Sequence, residues 1–295
     1  LGFDQVHTPY PNVLNDGRVV YTRWDDNDRG QVYPQPLFQM NPDGTGQTEY
    51  YGNNSWFPTT TDHARAIPGS SKVVAVLHGH HSWQAGKLAL IDRNKGTQEA
   101  AGVQLIAPVR ETKAVRVDAY GQDEELFRHP CALSEREFIV AMTPDKNSRK
   151  NHNTRFGLYS IDADGNRELL HYDPNVSCAH PIALRPRKKP PVRPSMVDYT
   201  KDHGVYFVQD VYVGPGLKGV KRGTIEKLRV VAIEYRAAPI GWTNSGGEAG
   251  GSANSTPVAC GNGSWDPKVI LGEATVYEDG SAMFKIPANT TISLQ

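Results

Sequence analysis

The chain has 295 residues, with 32 Lys or Arg against 32 Asp or Glu, so its formal net charge is zero. That balance excludes the basic surplus of a general nucleic-acid binder and the polybasic signal of a protein drawn to anionic membranes. No apolar run reaches the ~18 residues a membrane helix needs. No basic-then-apolar leader opens the chain, and the expectation is a mature form, a fragment or a cytosolic protein.

Hydrophobic residues make up 38% of the chain beside 28 Gly and 21 Pro, which favours many turns and short strands. The first run, Arg18 to Arg23, follows the turn Asn15-Asp16-Gly17. Leu37 to Met40 leads into Asn41-Pro42-Asp43-Gly44-Thr45-Gly46, and Gln47 to Tyr51 follows. Strand, loop, strand, Asp-Gly turn, strand is the pattern of a β meander. It recurs at Lys72 to Leu77 and Lys87 to Ile91, where the turn is Asp92 to Gly96. It recurs again at Glu137 to Met142, Phe156 to Ile161 and Arg167 to Tyr172, where the turn is Asp162 to Asn166. A degenerate fourth copy is predicted at Gly204 to Val211 and Leu228 to Tyr235. No amphipathic helix of three turns is legible.

The predicted fold class is therefore all-β: a β-propeller of four-stranded blades, incomplete in this chain, followed by a small β-rich unit. The blades are assigned to 1–211. The following unit is assigned to 212–295, because Gly214-Pro215-Gly216 interrupts the strand and Pro lacks a ladder donor. Within it, Ile225 to Tyr235 has two partly apolar faces, so both are expected to be covered. Val269 to Val276 and Ser281 to Ile286 flank Glu278-Asp279-Gly280 and predict a hairpin. The Gly/Ser-rich stretch 244–256 reads as a flexible loop.

Three cysteines, Cys131, Cys178 and Cys260, cannot all pair within the chain. None lies at CxxC spacing, so the sequence holds neither a zinc knuckle nor the CxxCH attachment of a c-type haem. One disulfide with one free thiol, or three buried thiols, both fit.

Four constellations could carry chemistry. His78, His80 and His81 place three imidazoles within four residues and could ligate zinc or a similar ion; the alternative is a polar loop between strands. Asp162, Asp164 and Asn166 offer alternating oxygens to calcium, and equally suit a tight turn. Cys178 and His180 would share a face on an extended strand, as nucleophile, ligand or buried pair. The basic, proline-rich run Arg185 to Pro194 reads as an extended crossing segment, solvated or set against acidic groups. There is no Gly-x-Ser-x-Gly elbow and no phosphate loop.

Several stretches together resemble the hydrazine synthase alpha subunit and its bacterial relatives. They include Asp16 to Trp24, Met40 to Gly46, Ala64 to Ser70, Leu88 to Asp92, Leu133 to Glu135 and Asp164 to Arg167. Pro181 to Arg187 and Leu271-Gly272 match as well. The most selective stretches are Gln209 to Thr224 and Glu278 to Asn289. The resemblance implies an extracytoplasmic, periplasmic-type protein in which a propeller joins a domain carrying haem c, with redox chemistry of nitrogen compounds at the haem. It implies that this chain is the propeller portion with the first strands of the haem domain, and that the family's CxxCH lies beyond it. The haem would then come from the remainder of the polypeptide or from a haem-bearing subunit. Cys178, His180, Tyr235 and Cys260 are the candidates to approach it, since they lie near the domain junction in sequence. Cys131 stands where relatives more often have Tyr. The rival reading is a propeller that binds a partner and does no chemistry.

Overall fold

A computed structural model describes residues 8–24, 34–53, 55–80, 82–107, 120, 122, 125–144, 154–213, 217–233, 268–290 and 292–295. The chain divides into two compact units. One comprises His7–Trp24 and Tyr33–Met196, and the other is built on Val197–Gln295.

The first unit contains three four-stranded antiparallel meanders, each taken in chain order. They are β1 (Asn12–Val13), β2 (Val19–Thr22), β3 (Leu37–Met40) and β4 (Thr48–Tyr51); β5 (Thr60–Ala66), β6 (Val73–His78), β7 (Lys87–Ile91) and β8 (Val103–Ala107); and β9 (Leu126–Ala132), β10 (Glu137–Thr143), β11 (Gly157–Asp162) and β12 (Arg167–His171). The turns do what their residues allow. Gly17, Gly44 and Gly165 adopt φ of 82°, 85° and 88°, which L side chains rarely reach, so each Asp-Gly step can reverse the chain. Asp162 holds its own turn, its carboxylate accepting from the backbone N–H of Asp164 and of Asn166, both at 2.9 Å.

The middle sheet explains why its strands are almost wholly apolar. Val73, Ala75, Leu77, Ala89 and Ile91 pack against Leu14, Val20, Leu37 and Tyr51 of the first sheet. Val74, Leu88 and Leu90 pack against Phe127, Phe138, Val140 and Met142 of the third. A sheet covered on both faces has no polar face to alternate with. Short bridges stitch the sheets: Gln35 pairs with Thr60, and Gly86 with Phe127. The third sheet ends differently. All five residues of β12 are exposed, and Leu169 and Leu170 keep half their surface in solvent.

After β12 the proline-rich segment runs back across the turns. The Arg185 guanidinium donates to the carbonyl of Leu133, between β9 and β10. Arg193 donates to Asn41 Oδ1 at 2.9 Å and to the Asp16 carbonyl at 3.2 Å, and the Met196 N–H donates to the Asp43 carboxylate. The segment is thus a strap from the third sheet to the first, fastened by two of its arginines to backbone and amide oxygens rather than to acidic groups.

The second unit corrects two expectations. β13 (His203–Val208), read as the start of a fourth meander, instead pairs along its length with β16 (Ala282–Pro287), Tyr206 stacking on Phe284 at 5.5 Å. β14 (Lys227–Ile233) lies between β15 (Lys268–Thr275) and β17 (Ile292–Leu294). β15 and β16 therefore flank the Asp-Gly turn without pairing as a hairpin: each takes a partner in a different sheet. The reason is the core between the two sheets, where Leu228, Val230, Ala274 and Ala282 meet Val208, Phe284, Ile286 and Leu294. Burying those side chains outweighs a second ladder that a two-stranded ribbon could offer. Both faces of β14 are covered as expected, Val230, Val231 and Ala232 all being buried.

The 3-10 turn Arg93–Lys95 is the one helical element described over its whole length, and among the described residues no helix is long and apolar enough to cross a membrane.

Candidate functional site

The first strands of the second and third sheets carry matching irregularities. β5 bulges between Asp62 and Arg65, and β9 skips register between Arg128 and Cys131. A bulge re-aims one side chain. Here the re-aimed residues are His63 and His129, with φ of 55° and 50°. Tyr10, just before β1, and His180, after β12, take the same left-handed conformation at 57° and 48°. Gln84 joins them at 52°. Five of the seven non-glycine residues with positive φ among the described residues thus belong to one cluster. Each costs about 1–3 kcal/mol, and such strain gathers where the surrounding fold holds a side chain in a set position.

The rings form a ladder. Tyr10 and His63 have centroids 4.1 Å apart, His63 and His129 4.4 Å, and His129 and His180 3.7 Å. The Tyr10 hydroxyl donates to Gln84 Oε1 at 2.6 Å. His63 Nε2 lies 3.2 Å from the Gln84 carbonyl, which can only accept, so Nε2 carries the hydrogen. His63 and His129 are buried, whereas His180 is exposed. His129 Nδ1 and Arg128 Nε are closed off from solvent and have no hydrogen-bond partner. The Arg128 guanidinium sits over the Phe156 ring at 5.5 Å.

Burial sets the protonation of this cluster. Desolvation pushes His63 down to about 4, partly opposed by the nearby Asp62 carboxylate. It pushes His129 down to about 3, reinforced by His63, His180, Arg128 and Arg65. Both rings are therefore neutral at neutral pH. Tyr10 is pushed up to about 12 by burial and by Asp62.

A second network adjoins it. Asp62 Oδ2 accepts from His78 Nε2 at 2.8 Å, both side chains being buried, while His78 Nδ1 lies 2.7 Å from both Ser82 Oγ and the Gly79 carbonyl. His78 has no free ring nitrogen for a metal. His80 points elsewhere, with Nδ1 3.0 Å from Gln35 Nε2 and its ring edge-on to Trp24. His81 lies outside the described residues. Asp162 is engaged by its own turn and Asp164 by Arg136 at 2.6 Å, and Asn166 donates its side-chain amide to Asp162. Among the described residues no three His, Cys, Asp or Glu side chains converge as they stand on a point a metal would occupy.

Cys178 is a half-buried free thiol whose backbone N–H donates to the Phe156 carbonyl at 2.8 Å, and Cys131 is a buried free thiol. The expected shared face of Cys178 and His180 fails, because alternation requires extended backbone and His180 has positive φ. Tyr235, Cys260 and the stretch 244–256 lie outside the described residues. The structure thus brings His180 into a cluster with three rings that the sequence reading passed over. The signal was a ring set ahead of a proline, at Tyr10-Pro11, His129-Pro130 and His180-Pro181, with His63-Ala64 in the middle sheet.

A covalently held haem does not fit these residues, since thioether attachment needs the CxxCH spacing that no pair of the three cysteines has.

Residues 223–295 match the family described as hydrazine synthase alpha subunit middle domain. Among solved structures, hydrazine synthase of Kuenenia stuttgartiensis is similar in fold over 100% of this chain, with a TM-score of 0.71 at 17% sequence identity. This chain spans 40% of that one. Both findings bear out the resemblance to a hydrazine synthase alpha-like family. No curated protein matches.

Proposed function

We propose that this chain is the β-propeller portion of a hydrazine-synthase-alpha-like, extracytoplasmic c-type cytochrome, and that it frames a haem redox site contributed by other sequence of the same protein or by a partner subunit. The observation that carries this reading is the likeness to hydrazine synthase along the whole chain, joined to the family match at 223–295. Three consecutive four-stranded meanders are what propeller blades would look like, each packing its faces against the next. Leu169 and Leu170 of β12, exposed together with Ile182, Leu184 and Tyr199, support a further protein surface that covers them. The chain's own contribution is rigid placement: the bulged strands β5 and β9 hold His63 and His129 in set positions, and the strap ties the turns of the outer sheets.

The test is a pyridine haemochrome spectrum on two samples. The protein purified from its native source, with whatever remains bound, is expected to show haem c. The 295-residue chain expressed alone in a haem-maturation host is expected to show no band after acid-acetone extraction. Absence of haem from the native material would overturn the proposal, and so would covalent haem on the isolated chain.

A further inference from the structure

We propose that the bulge of β9 is a binding site for a small planar oxyanion, a carboxylate being the simplest, with Arg128 and His129 as its donors and the His180 ring as its cover. Arg128 Nε is necessarily an N–H donor, and it is buried without a partner. The adjacent His129 Nδ1 is likewise buried without a partner, on a side chain with 7% of its surface exposed. A buried donor left unpaired is costly, and the bulge that carries Arg128 and His129 as consecutive residues holds the second of them at strained φ. An arginine presenting Nε and one Nη side-on matches a carboxylate's two oxygens. The Phe156 face below it restrains the guanidinium plane.

The surrounding charges choose the sign of the ligand. Those that act on His129 are Arg128, Arg65 and the neighbouring imidazoles of His63 and His180, with no carboxylate among them. The carboxylate of the cluster, Asp62, acts on Tyr10, His63 and Arg128, and one of its oxygens is held by His78. The side of the cluster facing β9 is therefore cationic, which disfavours a divalent metal and favours an anion. Access is through His180. Its exposed ring lies 3.7 Å from that of His129, so a rotation of one surface side chain opens one face of the His129 ring without disturbing the core. An anion at His129 Nδ1 favours the protonated imidazole, so binding takes up a proton from solution.

The experiment is calorimetric titration of the full 295-residue chain with sodium acetate at pH 6, in two buffers of different ionisation heat, at constant ionic strength. Saturable binding is expected, with a heat that depends on the buffer because a proton is taken up. Arg128→Gln is expected to weaken binding at least tenfold and Arg128→Lys to weaken it by less, with circular dichroism showing both folded. His129→Gln is expected to abolish the buffer dependence, and His180→Ala to bind at least as tightly as the parent. No saturable acetate binding by the folded chain would overturn the proposal. Equal binding by folded Arg128→Gln would do so too, as would uptake of zinc with none of acetate. None of these outcomes depends on where the haem resides.

Discussion

Single atoms decide how the strap is fastened. The Asp43 carboxylate accepts from the Met196 N–H, and from the Thr45 N–H and hydroxyl at 3.0 and 2.7 Å. These bonds, the Met196 N–H foremost, hold it down to about 2 from an ordinary value of 3.8. A carboxylate whose folded pKa is depressed contributes above its unfolded pKa and loses that contribution as pH falls through the folded one. The strap contact at Asp43 should therefore be complete above about pH 4 and lost as pH drops toward 2. The Met196 amide chemical shift, followed by NMR, should titrate with a midpoint near 2, and Asp43→Asn should remove that step. A midpoint near 4 would mean that the contact does not form in solution. The same scale governs the ring ladder: whether a histidine is a core residue or a donor turns on one nitrogen, and for His78 both are engaged while for His129 one is not.

At the level of strands, close approach between backbones matters more than propensity. Gly86 sits where β7 begins and pairs with Phe127 of the next sheet. A Cβ there would lie 2.1 Å from the Leu77 carbonyl oxygen and 2.7 Å from His78 Cβ, and the first of these is backbone that cannot step aside. Gly86→Ala should therefore cost about 1–3 kcal/mol by overpacking, measured by urea unfolding. Gly204, in β13, has open space where its Cβ would be and no positive φ. Gly204→Ala should be neutral or stabilising by a few tenths of a kcal/mol, about what the lost unfolded-state freedom of glycine is worth. Similar losses at both positions would contradict the close approach at Gly86.

Across the whole chain, each of the two compact units buries apolar clusters of its own, which implies two cooperative units. Phe138 is fully buried among residues of the second and third sheets, and Val230 is buried in the core of the second unit. Calorimetry should resolve two transitions, one for each compact unit. Phe138→Ala should lower one of them by the stability equivalent of about 3–5 kcal/mol, and Val230→Ala the other by about 1–3 kcal/mol. A single transition moved by both substitutions would show that the two cores unfold as one.

The sequence by itself determined the class of the fold and most of its strands. Asp-Gly turns at Gly17, Gly44 and Gly165 require positive φ, and runs such as Val73 to Leu77 have no polar face, so both features announce themselves locally. It also showed that these 295 residues hold no CxxCH, because that motif is a local pattern. Strands with mixed composition were not legible: β5 reads Thr-Thr-Asp-His-Ala-Arg-Ala, and its polar residues are buried through a bulge and partners from distant segments. Which strands pair was likewise a tertiary matter. β15 and β16 carry an ideal hairpin turn, yet apolar burial between two sheets assigns them different partners. The ring ladder was out of reach for the same reason. Tyr10, His63, His129 and His180 lie far apart in sequence, and only the packing of the sheets brings the bulges of β5 and β9 together with the segments before β1 and after β12. His80 and His81 are adjacent in sequence, whereas the imidazoles that do meet come from β5, β9 and the segment after β12.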